Sequence, residues 1–146
     1  MIVQTEQYKY KIELTKLPED VKTRWVNALR SGNYEQGSSA LLDIISYTDG
    51  EKKTYCCLGV LGAICGIDED KLEDKEFLTP SYNIEEDMFP EGMEDFLNNT
   101  ELQQFLADNN DGSIVEETGE EEIGKVRKQY PKATFLELAD WIETNL

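Results

Sequence analysis

Arg24, Arg30, Tyr34, Gln36 and Tyr55 are the side chains of this sequence best suited to holding a ligand. An arginine fork matches phosphate oxygens, and an aromatic face takes a stacked base or a cation. Asn109, within Asp108-Asn109-Asn110-Asp111-Gly112, adds an amide to this set of candidate ligand-binding residues. Each has a plainer reading beside it. Arg30 can be a charge at a helix C-terminus, and the neighbouring Trp25 is expected in the core.

Catalytic chemistry finds less support. The chain has no histidine, so the commonest general base and the commonest zinc ligand are both missing. Serine–histidine and cysteine–histidine catalysis cannot be assembled from it. Cys56-Cys57 follow Lys52 and Lys53, and a thiolate near a cation or a helix N-terminus is reactive. Buried cysteines acting as small hydrophobes are nevertheless the favoured reading. With Cys65 the count is three, an odd number that does not make a secreted disulfide framework.

If Gly112 is set at the sixth position of a calcium loop, Asp111 and Asn109 fall on ligand positions. Ala107 and Thr118 then occupy the two ends, where carboxylates are needed. A helix end followed by an Asn/Asp turn is the better reading. Carboxylate catalysis needs one acid in an apolar pocket with a raised pKa, and the abundance of acids hides any such residue. No metal, cofactor or catalytic residue is expected, and the chain is read as a non-enzyme.

The net charge is -17, and it is unevenly placed. Residues 1–67 carry eight acidic and eight basic side chains, residues 68–122 carry twenty and two, and residues 123–146 carry three and four. The acidity therefore belongs to one segment, which with Pro80 and Pro90 reads as loop-rich with short helices. Such a field repels nucleic acid, and no basic patch offsets it. No apolar run is long enough to cross a membrane, and no signal peptide is visible at Met1–Gln4. The expected location is the cytoplasm.

The elements that must position these residues follow from periodicity. Tyr8, Tyr10, Ile12 and Leu14 alternate with charged residues, as in a half-buried strand. Pro18, Glu19 and Asp20 open a helix over 19–31 that Gly32 ends. Residues 40–47 read as a strand and Asp49-Gly50 as a turn. Tyr55–Cys65 reads as a buried helix in which Gly59 and Gly62 let another element come close. Short helices are expected at 91–97 and 100–108, and the run 116–122 is expected to be exposed or mobile. Thr134 and Glu137 form a capping box ahead of an apolar stripe at Phe135, Leu138, Ala139 and Ile142. The expected fold is α+β: one domain over 1–146, with a small antiparallel sheet packed against helices and an acidic segment at about 68–122.

Trp25, Ala28-Leu29-Arg30-Ser31-Gly32, Tyr34, Gln36-Gly37 and Tyr55-Cys56-Cys57-Leu58-Gly59-Val60-Leu61 resemble a family of small proteins found in bacteriophages and some bacteria. Its members read ALRSG-x-Y-x-Q-x-x-G and then YCCLGVLC. Leu106–Asp111 and Thr134–Glu143 are similar to its closing segments. Gly62 stands where that family usually has a further cysteine, and about twenty residues separate closing parts that usually adjoin. The resemblance implies a phage accessory protein acting in the host cytosol, and it carries over no catalytic residue.

Two readings of function follow. In one, the protein counters host defence by sequestering a nucleotide-derived immune signal around Arg24, Arg30, Tyr34, Gln36, Tyr55 and Asn109. In the other, the acidic segment imitates nucleic acid and inhibits a basic host defence protein. A carboxylate- and metal-dependent hydrolase stands well behind both. A homo-oligomer, with a site shared between subunits, is compatible with the first.

Overall fold

The computed structural model describes residues 12–79, 89–112, 114–118, 125–129 and 132–146. Helix α1 (Glu19–Arg30) follows Pro18, whose missing N–H costs nothing at a helix start. It buries Val21, Trp25, Val26 and Leu29 along one face. Strands β1 (Leu42–Tyr47) and β2 (Gly50–Tyr55) form an antiparallel hairpin pairing Leu42 with Tyr55 and Tyr47 with Gly50. Helix α2 (Cys57–Ile64) comes next, then the single-turn α3 (Glu69–Leu72), α4 (Glu94–Asn98) and α5 (Thr100–Asp111). A second antiparallel hairpin joins β3 (Ile114–Thr118) to β4 (Lys125–Gln129), and α6 (Phe135–Asn145) closes the chain. The fold is α+β, with helices around one core and two separate two-stranded sheets.

The core is built where α1 packs on α6 and α2, and where α5 packs on α2, α4 and α6. The indole N–H of Trp25 donates to the Cys57 carbonyl at 2.9 Å, and its ring meets Phe96 edge-on at 6.0 Å. Phe105 and Trp141 lie 5.0 Å apart on the α5–α6 side. Gly59 is where β1's approach meets α2: a Cβ there would lie 1.7 Å from the Leu41 carbonyl oxygen. At Gly62 it would meet Leu72 at 2.7 Å and Leu78 at 3.1 Å. Both glycines thus admit close neighbours, as the sequence implies.

The acidic segment is part of this core. Leu72, Leu78, Met93, Phe96, Leu102 and Phe105 are all almost fully buried. The segment is therefore no appendage on a neutral framework. Among its described residues, apolar side chains such as Leu72 and Phe96 point inward, and most carboxylates stay at the surface.

Several expected boundaries move. Tyr55 ends β2, and Cys56 is the extended N-cap of α2, its sulfur accepting from the Gly59 N–H. The apolar run hid this change because the half-buried Tyr55 leads straight into the buried helix without a polar break. Residues 51–53, charged and placed beyond the turn, are strand. Helix α5 runs three residues past Asp108 and ends at Gly112 in the left-handed conformation, φ 69°. The Asn/Asp stretch is thus the last turn of the helix itself, where a turn following the helix was expected. Residues 116–118, expected to be exposed or mobile, are strand paired with β4. The expected strand at 8–14 falls partly outside the described residues, and 12–14 are not strand. The capping box at Thr134 is formed by both of its hydrogen bonds.

Candidate functional site

The six candidate ligand-binding residues are placed in three different settings. Arg30, at the end of α1, points across to α6. Its Nη1 donates to Glu143 Oε2 at 2.9 Å, and its Nη2 donates to Asp140 Oδ1 at 2.6 Å and Glu143 Oε1 at 3.3 Å. Hydrogen bonds donated to Glu143 and Asp140 raise the pKa of the guanidinium, while Arg30 lowers that of Glu143. Arg30 is a clamp between helices. Arg24, two turns earlier, donates to the Ile64 carbonyl at the end of α2.

Gln36 and the Asn109–Asn110 pair meet in a second setting, a polar node between three helices. Gln36 Nε2 donates to Asn110 Oδ1 at 3.0 Å and to the Ala133 carbonyl at 2.8 Å. Gln36 Oε1 accepts from the Phe135 N–H at 3.2 Å, satisfying a first-turn donor of α6. Asn110 does the same for α2, accepting from the Cys57 N–H at 3.2 Å, and it donates to the Gly37 carbonyl at 2.8 Å. Asn109 Nδ2 donates to the Phe105 carbonyl, and the Asn109 carbonyl accepts from Ala133 N–H. Both asparagines are fully buried. A buried amide with all its partners fixes a unique arrangement, and losing one partner is costly.

Tyr34 and Tyr55 make the third setting, an edge-to-face pair with centroids 5.1 Å apart, both half-buried. Residues 35–37 run beside Tyr55, with Tyr55 N–H donating to the Glu35 carbonyl and Gly37 N–H donating to the Tyr55 carbonyl. Burial raises the Tyr55 phenol's pKa, and the nearby Glu69 adds to that.

The cysteines have no thiolate character. Burial pushes Cys56 up to about 11, raises Cys57 well above its ordinary value, and pushes Cys65 up to about 11. The lysines preceding Cys56 are engaged elsewhere: Lys52 with Glu35 at 3.2 Å and Lys53 with Glu69 at 2.7 Å. Among the described residues, no group of three or more Cys, Asp or Glu side chains is arranged to hold a metal ion, and no helix is long and apolar enough to cross a membrane.

Sequence reasoning missed the outward face of α5. A cavity of about 210 Å³ is lined by Ser39, Cys56, Glu76, Gln104, Asp108 and Asp111, among others. A second, of about 350 Å³, adjoins it along the same helix and includes Ile12, Glu101 and Phe105. Phe77, Gln104 and Asp108 line both. The signal was the helical spacing of the exposed Glu101 and Gln104 with the half-buried Asp111, opposite the buried Leu102 and Leu106. Ending the helix at Asp108 concealed it.

Residues 17–146 match the model of a protein family described as a domain of unknown function (DUF8296). No curated protein matches the chain, and no solved structure does.

Proposed function

The chain belongs to the DUF8296 family, and from that premise we propose that it is a non-enzymatic binding protein whose acidic surface engages a basic partner. The observation that carries this reading is the division of labour within residues 68–122. Their apolar side chains enter the core, while Asp68, Glu69, Asp70, Glu76, Glu94 and Glu101 stay exposed. An array of carboxylates on a rigid helical framework steers a positively charged surface toward it and gains from counter-charge pairing. The resemblance to small phage proteins adds the setting: a host protein whose basic groove ordinarily takes nucleic acid.

Capture of a nucleotide-derived signal is less well supported. Arg30, Gln36 and Asn109 would have to leave carboxylate, backbone and amide partners to meet a ligand. Only the Tyr34–Tyr55 pair and Arg24 would remain near the surface.

The test is competition. The immobilised protein is incubated with the heparin-binding fraction of a bacterial lysate and eluted with duplex DNA or with salt. The expected result is retention of specific proteins that duplex DNA releases, with affinity falling steeply between about 50 and 200 mM salt, where such charge-driven contacts weaken. Retention that neither DNA nor salt disturbs would overturn the reading.

A further inference from the structure

The two cavities on the outer face of α5 share a wall and make one groove. We propose that this groove seats a short basic peptide segment of the partner, in which an apolar side chain lies between cationic ones. The proposal rests on the preceding reading, that the acidic surface takes a basic protein, and it says where on that surface the contact is made.

The lining carries the argument. Ile12, Phe77 and Ala107, each partly exposed, give the groove an apolar strip, and Glu76, Glu101 and Asp111 place carboxylates along it. Among the described residues, neither cavity is lined by a lysine or arginine. A purely polar cation would leave the apolar strip in water, and a purely apolar ligand would desolvate the acids without compensation. A segment alternating basic and apolar residues meets both surfaces.

The dimensions select a peptide over a small organic cation. From Glu101 to Asp111 the helix rises about 15 Å. At roughly 3.3 Å per residue, four or five residues of extended chain cover that length. The groove is also held ready. On the opposite face of α5, Gln103 and Asn110 are locked by buried hydrogen bonds, and a preformed site avoids the cost of ordering on binding.

A fluorescein-labelled peptide, Lys-Phe-Lys-Phe-Lys-Lys, is titrated with the full chain and followed by anisotropy. Two exposed groove acids are neutralised together, Glu76→Gln with Glu101→Gln, and compared with Glu91→Gln plus Glu94→Gln, an equal change of charge near α4. The groove pair is expected to raise Kd at least tenfold and the α4 pair less than threefold. Phe77→Ala, or replacing both peptide phenylalanines by glycine, is expected to cost at least tenfold as well. Circular dichroism melts verify that each variant is folded.

Equal weakening by both acidic pairs would overturn the groove while leaving the acidic-surface reading intact. Absence of any salt-sensitive binding would sink both. Displacement by spermine at equal concentration would show a small-cation site and overturn the peptide assignment. So would a tenfold gain in affinity on deleting residues 1–11, which would show the chain's own basic N-terminal segment competing for the groove.

Discussion

Gln103 and Gln104 are the same residue type on successive positions of one helix, and they do opposite things. Gln103 is fully buried. Its amide nitrogen donates to the Leu78 carbonyl at 3.0 Å and the Leu97 carbonyl at 3.2 Å, and its oxygen accepts from the Leu78 N–H at 2.9 Å. It thereby ties the acidic segment's turns to α5. Gln104 faces outward and donates to Asp108, one helical turn on, at 2.7 Å. The contrast extends along the helix: Asn109 and Asn110 belong to the inner set, Glu101 and Asp111 to the outer. Polar residues on the inner face hold the fold together, and those on the outer face line the proposed groove.

The inner side should be intolerant, most of all where backbones touch. Gly59→Ala sets a Cβ against the Leu41 carbonyl, so α2 must retreat from the chain that enters β1. That retreat also strains the Cys56 N–H bond to the same carbonyl. Destabilisation of about 3 kcal/mol or more is expected, the upper range of overpacking, read as a fall in urea midpoint. Next comes the glutamine pair. Gln103→Leu leaves buried carbonyls and an N–H unpartnered and is expected to cost about 2 kcal/mol. Gln104→Leu, an outward change, should stay within about 0.5 kcal/mol. Equal losses in the two would break the proposed division of the helix.

The cysteines sharpen the same contrast through reactivity. Burial raises all three thiols, so at pH 8 they are protonated in the folded chain. Cys65 is only partly buried, whereas Cys56 and Cys57 lie in the core. Iodoacetamide should therefore modify Cys65 first, with Cys56 and Cys57 following only as the protein opens. Mass spectrometry of peptides after timed quenching reads the order. The linkage has a definite sign: folded thiols with raised pKa values stabilise below the unfolded value near 8.5. That contribution is lost as pH climbs toward about 11. Fast labelling of Cys56 at neutral pH would show a reactive thiol instead.

Much of this arrangement was legible beforehand, and the failures have physical causes. Trp25, the α1 face, the buried α2 run and the Thr134 capping box follow from periodicity and end chemistry, both local. Arg30 and Gln36 stand out in the sequence as ligand-binding candidates, and their partners within the fold lie at Asp140, Glu143, Asn110 and Ala133, far along the chain. A polar residue needed by a remote helix end looks, in sequence, like one needed by a ligand. The end of α5 was lost for a related reason: Asn-Asn-Asp-Gly favours a turn, yet tertiary hydrogen bonds hold both asparagines helical. The groove escaped because part of its wall, Glu76 and Phe77, comes from a stretch without periodic pattern.

A small effect is expected from an exterior ion cluster that joins two helices, Arg30 with Asp140 and Glu143. All three side chains are substantially exposed, at 34, 75 and 58%, so solvent screens their attraction. Arg30→Met keeps the aliphatic stem and removes the fork. A modest drop in Tm is expected at pH 7, smaller than for Gln103→Leu. Glu143 is held below its ordinary pKa by Arg30, so the pairing stabilises above the unfolded carboxylate value, about 4.3. It is lost as pH falls through the lowered folded value. The Tm gap between Arg30→Met and the unaltered protein should therefore close on acidification and narrow in about 1 M salt. A gap that persists at pH 2.5 would mean that Arg30 acts through packing on α6 rather than through charge.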